Sequence, residues 1–271
     1  YYLKADAKIV ETRGKYLEFL TKMLTLAGED NAAARAKAIL DFETKVARAH
    51  WTQVESRDAT KTYNKMTIAE LQRRAPGFNF RAYLDGVGAK RDELIVYQPS
   101  AFTGIAKAIQ GAPLQVLKDQ LLVRSLSAYG AVLPKEIDDT VFAFYGTTLN
   151  GTPQQEERWK RGVTFTTGAL ADDISQIYVQ RHFPPETKAA ADELVKNVVQ
   201  AMGRRIDQLT WMQPQTKARA KAKLANFTTK IGYPDQWRDY SGLDIRAGDA
   251  LGNAMRSSEF EHLYQYGKLG G

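Results

Sequence analysis

Apolar residues recur every three to four positions along most of this chain, and this spacing restricts the fold more than any other feature of the sequence. One such segment runs from about Asp6 to Ala27, and the longest regular one follows Pro184-Pro185. In that one, the recurring residues are Leu194, Val198, Met202, Ile206 and Leu209. This spacing places side chains on one face of an α-helix. The best strand candidate, Leu94–Tyr97, is short. We therefore predict an all-α fold, a multi-helix lobe of eight or more helices with very little strand.

Local signals place several helix ends. Gly28 follows the first periodic segment and is predicted to terminate it. Thr67-Ile68-Ala69-Glu70 has the pattern of a capping box, and Met66 with Leu71 can form the hydrophobic staple across it. A further helix is predicted from Glu136 to Leu149.

The charge distribution argues against a nucleic-acid partner. The 271 residues carry a net charge of +7, but Lys and Arg are interleaved with Asp and Glu nearly everywhere. The densest basic group is Lys217, Arg219, Lys221 and Lys223, whose spacing of two divides it between opposite faces of a helix. No apolar run approaches the ~18 residues that a membrane-spanning helix needs. We predict neither nucleic-acid binding nor a transmembrane segment in this piece.

No residue pattern in the chain indicates a catalytic centre. Cysteine is absent, and none of the three histidines, His50, His182 and His262, belongs to an H-E-x-x-H sequence. Glu259 and His262 form half of a di-iron motif that requires a second copy. Glu43 and His50, seven apart on one helical face, are expected at most to share a structural contact. We therefore assign no catalytic, cofactor-binding or metal-binding residue.

The stretch Leu209–Ser241 is the most distinctive part of the chain. It combines Trp211 and Trp237 with a short basic helix and the aromatic turn Ile231–Asp235. It contains no ligand or base, so we interpret it as a packed junction rather than a site. Both tryptophans are expected to be largely buried, and Trp211→Ala is then expected to cost ~3–5 kcal/mol.

A series of short strings resembles the neprilysin and endothelin-converting-enzyme family of zinc metallopeptidases, in particular its bacterial members. The strings occur in order along the whole chain, and their number and spacing make chance an unsatisfactory explanation. They are Tyr1-Tyr2-Leu3-Lys4, Tyr63–Thr67 with Ala69-Glu70-Leu71, Trp159-Lys160-Arg161, Ile177-Tyr178-Val179, Phe183-Pro184-Pro185-Glu186, Leu209–Met212, Thr216-Lys217, Lys223-Leu224 and Ile231–Asp235.

The resemblance implies a two-lobed enzyme that hydrolyses peptide bonds in short peptides. Residues 1–240 would be the helical, substrate-gating lobe, and residues 241–271 would connect it to the catalytic lobe. The family's zinc ligands, general base and substrate-clamping Asn-Ala pair would lie beyond residue 271, so Zn²⁺ is expected in the parent enzyme with no ligand in this chain. The implied partners are the catalytic lobe and peptide substrates, and the implied location is periplasmic or extracellular.

A rival hypothesis is a stand-alone helical binding or scaffold module without catalysis. The chain begins with Tyr1 rather than Met and ends at Gly270-Gly271 directly after a helical pattern. We therefore expect an internal piece of a longer protein. The rival predicts instead a coding sequence that ends near Gly271 and no H-E-x-x-H downstream.

Overall fold

Helices dominate the computed structural model, which describes residues 1–269. Within them lie the helices α1 Ala7–Leu26, α2 Ala32–Ala49, α3 Ala59–Thr62, α4 Ile68–Arg74, α5 Phe80–Gly86, α6 Pro99–Gln110, α7 Leu114–Ala128, α8 Lys135–Val141, α9 Arg158–Ala169, α10 Ala171–His182, α11 Pro185–Gln208, α12 Pro214–Ala225 and α13 Ala250–Gly267. Strands β1 Lys65–Thr67 and β2 Glu93–Ile95 form one antiparallel pair. The predicted all-α class with very little strand is confirmed. The candidate strand Leu94–Tyr97 overlaps β2 but begins one residue late.

The described residues divide into two compact units. The first comprises Tyr1–Glu156 together with the described residues from Asp244 onward, and the second comprises Glu157–Leu243. The bounds of these two units differ from the predicted division into residues 1–240 and 241–271. The assignment of those two ranges to a substrate-gating lobe and a connection stays a prediction. Gly270 and Gly271 of the predicted connection lie outside the described residues. No helix of the described part is both long and apolar enough to cross a membrane.

The main core of the first unit forms where α1 packs against α2. Leu20, Met23 and Leu24 of α1 and Ile39 of α2 are fully or almost fully buried. Gly28 adopts a left-handed conformation with φ of 78°. The N–H of Gly28 donates to the carbonyl of Thr25, and the N–H of Glu29 donates to that of Leu24, both at 3.0 Å. This is a Schellman termination, so the predicted stop at Gly28 is confirmed.

The second core of the first unit surrounds the β1–β2 pair and α4. The Thr67 N–H donates to Glu70 Oε2 at 2.8 Å, and the Glu70 N–H donates to Thr67 Oγ1 at 3.1 Å. Met66 and Leu71 are both buried in this core. The predicted capping box is therefore confirmed, and the two residues expected to form its staple lie in one cluster.

The helix predicted from Glu136 to Leu149 changes its hydrogen-bonding pattern part-way. It is α-helical to Val141 and continues as a π-helix over Phe142–Leu149. The wider turn directs Phe144 against Tyr16 and Phe19 of α1, with ring centroids 5.2 and 5.1 Å apart. The packing of these aromatic rings compensates for the less favourable backbone hydrogen bonding of a π-helix.

The second unit contains α9 to α12 and the irregular segment that follows them. The helix after Pro184-Pro185 is the longest described, with 24 residues. Burial of Trp211 was predicted wrongly, because its side chain is 74% exposed in the turn between α11 and α12. Trp237 is half-buried and stacks on Tyr233 with centroids 5.9 Å apart. A large aromatic side chain is buried only where another element of the fold packs over it. In the described residues no element packs over Trp211.

Candidate functional site

Each of the three histidines makes its own local contact. His50 Nδ1 lies 3.3 Å from Gln98 Oε1, and His262 Nε2 lies 2.7 Å from the carbonyl oxygen of Val87. The His182 ring packs against Tyr178 at 5.0 Å. Among residues 1–269, no three His, Cys, Asp or Glu side chains are grouped so that they could hold a metal ion. The side chains in the described part therefore do not fit zinc.

A buried carboxylate, Glu43, organises a polar cluster in the first unit. Its Oε2 accepts hydrogen bonds from the hydroxyls of Tyr2 at 2.9 Å and Tyr16 at 2.8 Å. Its Oε1 accepts from Arg124 Nη2 at 2.7 Å. Three donors, one of them a cation, compensate a charge that would be costly if buried alone. The cluster ties the N-terminal segment, α1, α2 and α7 together.

Glu43 and His50 do not share the polar contact that their spacing allows. His50 lies at the C-terminal end of α2 and faces Gln98, whereas Glu43 faces the core. The sequence contained a signal for the true arrangement. Glu43 continues the buried row of Ala36 and Ile39 on α2, and a carboxylate on an apolar face needs donors from neighbouring elements.

A pocket of about 130 Å³ opens beside this cluster. Its lining includes the aromatic rings of Tyr2, Tyr16, Phe144 and Tyr145 and the Arg124 side chain. Burial, reinforced by the Glu43 carboxylate, raises the pKa of Tyr2 to about 12 and also raises the pKa of Tyr16. Burial likewise raises the pKa of Tyr145. These phenols therefore stay neutral donors near pH 7, and the arrangement suits positioning rather than proton transfer.

The aromatic turn Ile231–Asp235 is held within the second unit by the start of α11. Lys188 Nζ donates to the carbonyl of Tyr233 at 2.8 Å and to Asp235 Oδ1 at 3.1 Å, and it lies 4.3 Å from the centre of the Tyr233 ring. Gly232 has a φ of 70°, and a Cβ there would lie 2.9 Å from Phe183. The two distinctive strings Phe183–Glu186 and Ile231–Asp235 therefore form one packed structure.

Comparison with known proteins identifies the family. The model of peptidase family M13, in its N-terminal region, matches residues 1–234. Neprilysin-2 of Drosophila melanogaster is 28% identical over 280 residues, covering 94% of this chain and 36% of that protein. Endothelin-converting enzyme 1 of Bos taurus is 26% identical over 278 residues, covering 96% of this chain and 36% of that protein. The chain thus spans about a third of the length of the curated relatives it matches.

Solved structures have the same fold. The zinc metalloprotease Zmp1 of Mycobacterium tuberculosis, in an open state, superposes with a TM-score of 0.88 at 36% identity. The match covers 98% of this chain and 42% of that one. PepO of Lactobacillus rhamnosis superposes with a TM-score of 0.85 at 19% identity, which shows the fold alone.

Proposed function

The chain belongs to peptidase family M13, and from that premise we propose that it is the helical part of a zinc metalloendopeptidase. In this proposal the parent enzyme hydrolyses peptide bonds in short peptides, and residues 1–240 enclose the chamber in which cleavage occurs. The single observation that carries the proposal is the family match over residues 1–234. The 36% identity to a mycobacterial metalloprotease further supports a bacterial parent.

The zinc site belongs, in this proposal, to the remainder of the parent polypeptide. The described residues offer no grouped ligands, as noted above. Zinc in a peptidase of this kind polarises the scissile carbonyl and activates a water molecule. The residues of this chain would form walls of the chamber, and these walls would exclude water and large substrates.

The catalytic lobe and the peptide substrate are the proposed partners, and residues 241–271 are the proposed connection to that lobe. Relative motion of lobes would admit substrate and release product. We also propose export to the periplasm or the exterior. A relative in Mus musculus is named membrane metallo-endopeptidase-like 1, and that name supports a location outside the cytoplasm.

Size selection is the property that tests the enclosing role. The parent enzyme should cleave a short fluorogenic peptide but not the same sequence placed in a loop of a folded host protein. The unfolded host provides the control, because it presents the same bond without the bulk, and its cleavage should recover. Equal kcat/KM for the free peptide and the folded host would contradict the proposal.

A further inference from the structure

Helix α11 carries two adjoining apolar faces, and in the described residues only one of them is covered. The covered face includes Val195, Val199 and Ile206, and Gly203 on the same side approaches Leu224 of α12. The other face carries Leu194, Val198 and Met202, which are 63%, 58% and 52% exposed. A helix whose apolar surface extends beyond its covered face is suited to pack against a further element.

The uncovered face has the shape that helix packing requires. Leu194, Val198 and Met202 are spaced by four, so they form one continuous ridge about 12 Å long at 1.5 Å per residue. Ala190 and Ala201 flank the ridge and, with Asn197, line a shallow groove beside it. Small residues next to a ridge allow a second helix to approach closely.

The second unit also lacks a core of its own. Among its described residues, 157–243, Ile206 is the only buried hydrophobic residue, and it is still 8% exposed. Eighty-odd residues with so little burial do not reach the buried fraction expected of an independently stable domain. The exposed face of α11 is therefore better explained as an interface than as a solvated surface.

The occupant follows from the comparison of lengths. This chain superposes over 98% of its residues on a related protein of which it covers only 42%, so more than half of such a polypeptide remains to pack against it. The groove contains Glu193 and Asn197 beside its apolar residues, which disfavours burial in lipid.

We propose that the face formed by Leu194, Val198 and Met202 is the seam onto which a helix from the remainder of the parent polypeptide packs. This rests on the proposed function, because it assumes that parent. The partner helix should present an apolar row at a spacing of three to four, with a hydrogen-bonding group opposite Asn197.

Oxidation of methionine by hydrogen peroxide tests the seam without any substitution, since the rate follows exposure of the sulfur. Met202 and Met255 are equally exposed at 52%, on α11 and α13, and fully buried Met23 is a slow reference. N-acetylmethionine amide added to each sample normalises the oxidant. In the 271-residue chain, Met202 and Met255 should form sulfoxide at similar rates, measured by peptide mass spectrometry.

In the parent polypeptide, Met202 should react at least about tenfold more slowly than in the 271-residue chain. An unchanged rate would overturn the seam. If Met202 instead becomes protected in the 271-residue chain as its concentration rises, and sedimentation shows a dimer, then a second copy is the occupant and the proposal fails. Peptidase activity is measured on the same samples. Protection without activity refutes the proposed function alone, and activity with a reactive Met202 refutes the seam alone.

Discussion

Replacing Arg124 by methionine is the most informative perturbation of the first unit. The substitution removes the cation that lies 2.7 Å from Glu43 Oε1. Methionine still places a long, flexible apolar side chain at this position of α7. Glu43 is only 6% exposed, so its charge would then rely on the two phenol donors of Tyr2 and Tyr16. Breaking a buried ion pair from one side typically costs ~3–5 kcal/mol. Arg124 is 48% exposed, so water can reach the vacated position, and we expect the lower end, ~3 kcal/mol.

Hydrogen exchange is the appropriate assay because the two units need not unfold together. The amides of Leu20 in α1 and Ile39 in α2, whose side chains are buried in the same core as the Tyr16 ring, should exchange slowly and report the opening of that core. Arg57→Met is the control for losing one cation, since Arg57 is exposed.

A double-mutant cycle separates the ion pair from lost packing. In a Glu43→Gln background, Arg124→Met should cost ~1 kcal/mol or less, which leaves a coupling of ~2 kcal/mol. Loss of less than ~0.5 kcal/mol of protection in the single variant, or additive effects in the cycle, would refute the account of Glu43 as a charge held by Arg124.

Three further predictions concern other parts of the chain. The hydrogen bond that Arg35 donates to Asp119 lowers the pKa of this carboxyl group. The stabilisation of the folded state by ionised Asp119 is therefore fully present above the unfolded pKa of ~3.9, and it is lost as the pH falls through the lower pKa of the folded state. In the Asp119→Asn variant the urea midpoint of unfolding should therefore fall less steeply between about pH 6 and 2 than in the unmodified chain. An equally steep fall in both proteins would contradict this. Gly232→Ala should destabilise the second unit by ~1–2 kcal/mol, followed by tryptophan fluorescence, whereas Gly162→Ala, in open space, should not. Trp211→Ala in the 271-residue chain should change stability by less than ~0.5 kcal/mol, because the ring is exposed; a cost of ~3 kcal/mol would show that it is packed in solution.

Helix ends were the most predictable features, because their signals are local. The capping box at Thr67 and Glu70 and the left-handed stop at Gly28 depend on residues within five positions of each other. Each satisfies backbone groups that a helix terminus leaves unpaired, whatever packs nearby. The all-α class followed from the same short-range periodicity.

Features decided by packing between distant elements were predicted poorly. The π-helix Phe142–Leu149 shares its sequence pattern with an ordinary helix, and its choice depends on the fit of Phe144 against Tyr16 and Phe19. Burial of Trp211 was predicted from residue type alone, which cannot indicate whether a neighbouring element exists.

The candidate site shows the same division. The sequence indicated that Glu43 lies on a helical face, but its partners Tyr2 and Arg124 are 41 and 81 residues away. No spacing rule connects residues so far apart. The absence of an assigned catalytic residue stays a prediction, since it concerns the chemistry of the parent protein.

Zinc-dependent peptide cleavage is the measurement that tests the central claim most directly. The 271-residue chain and the parent polypeptide should be assayed in parallel on one short peptide, with zinc added and with a chelator. We predict no cleavage by the 271-residue chain under either condition, and cleavage by the parent that the chelator abolishes and zinc restores. Zinc-dependent cleavage by the 271-residue chain alone would contradict the claim that its chemistry lies elsewhere in the polypeptide.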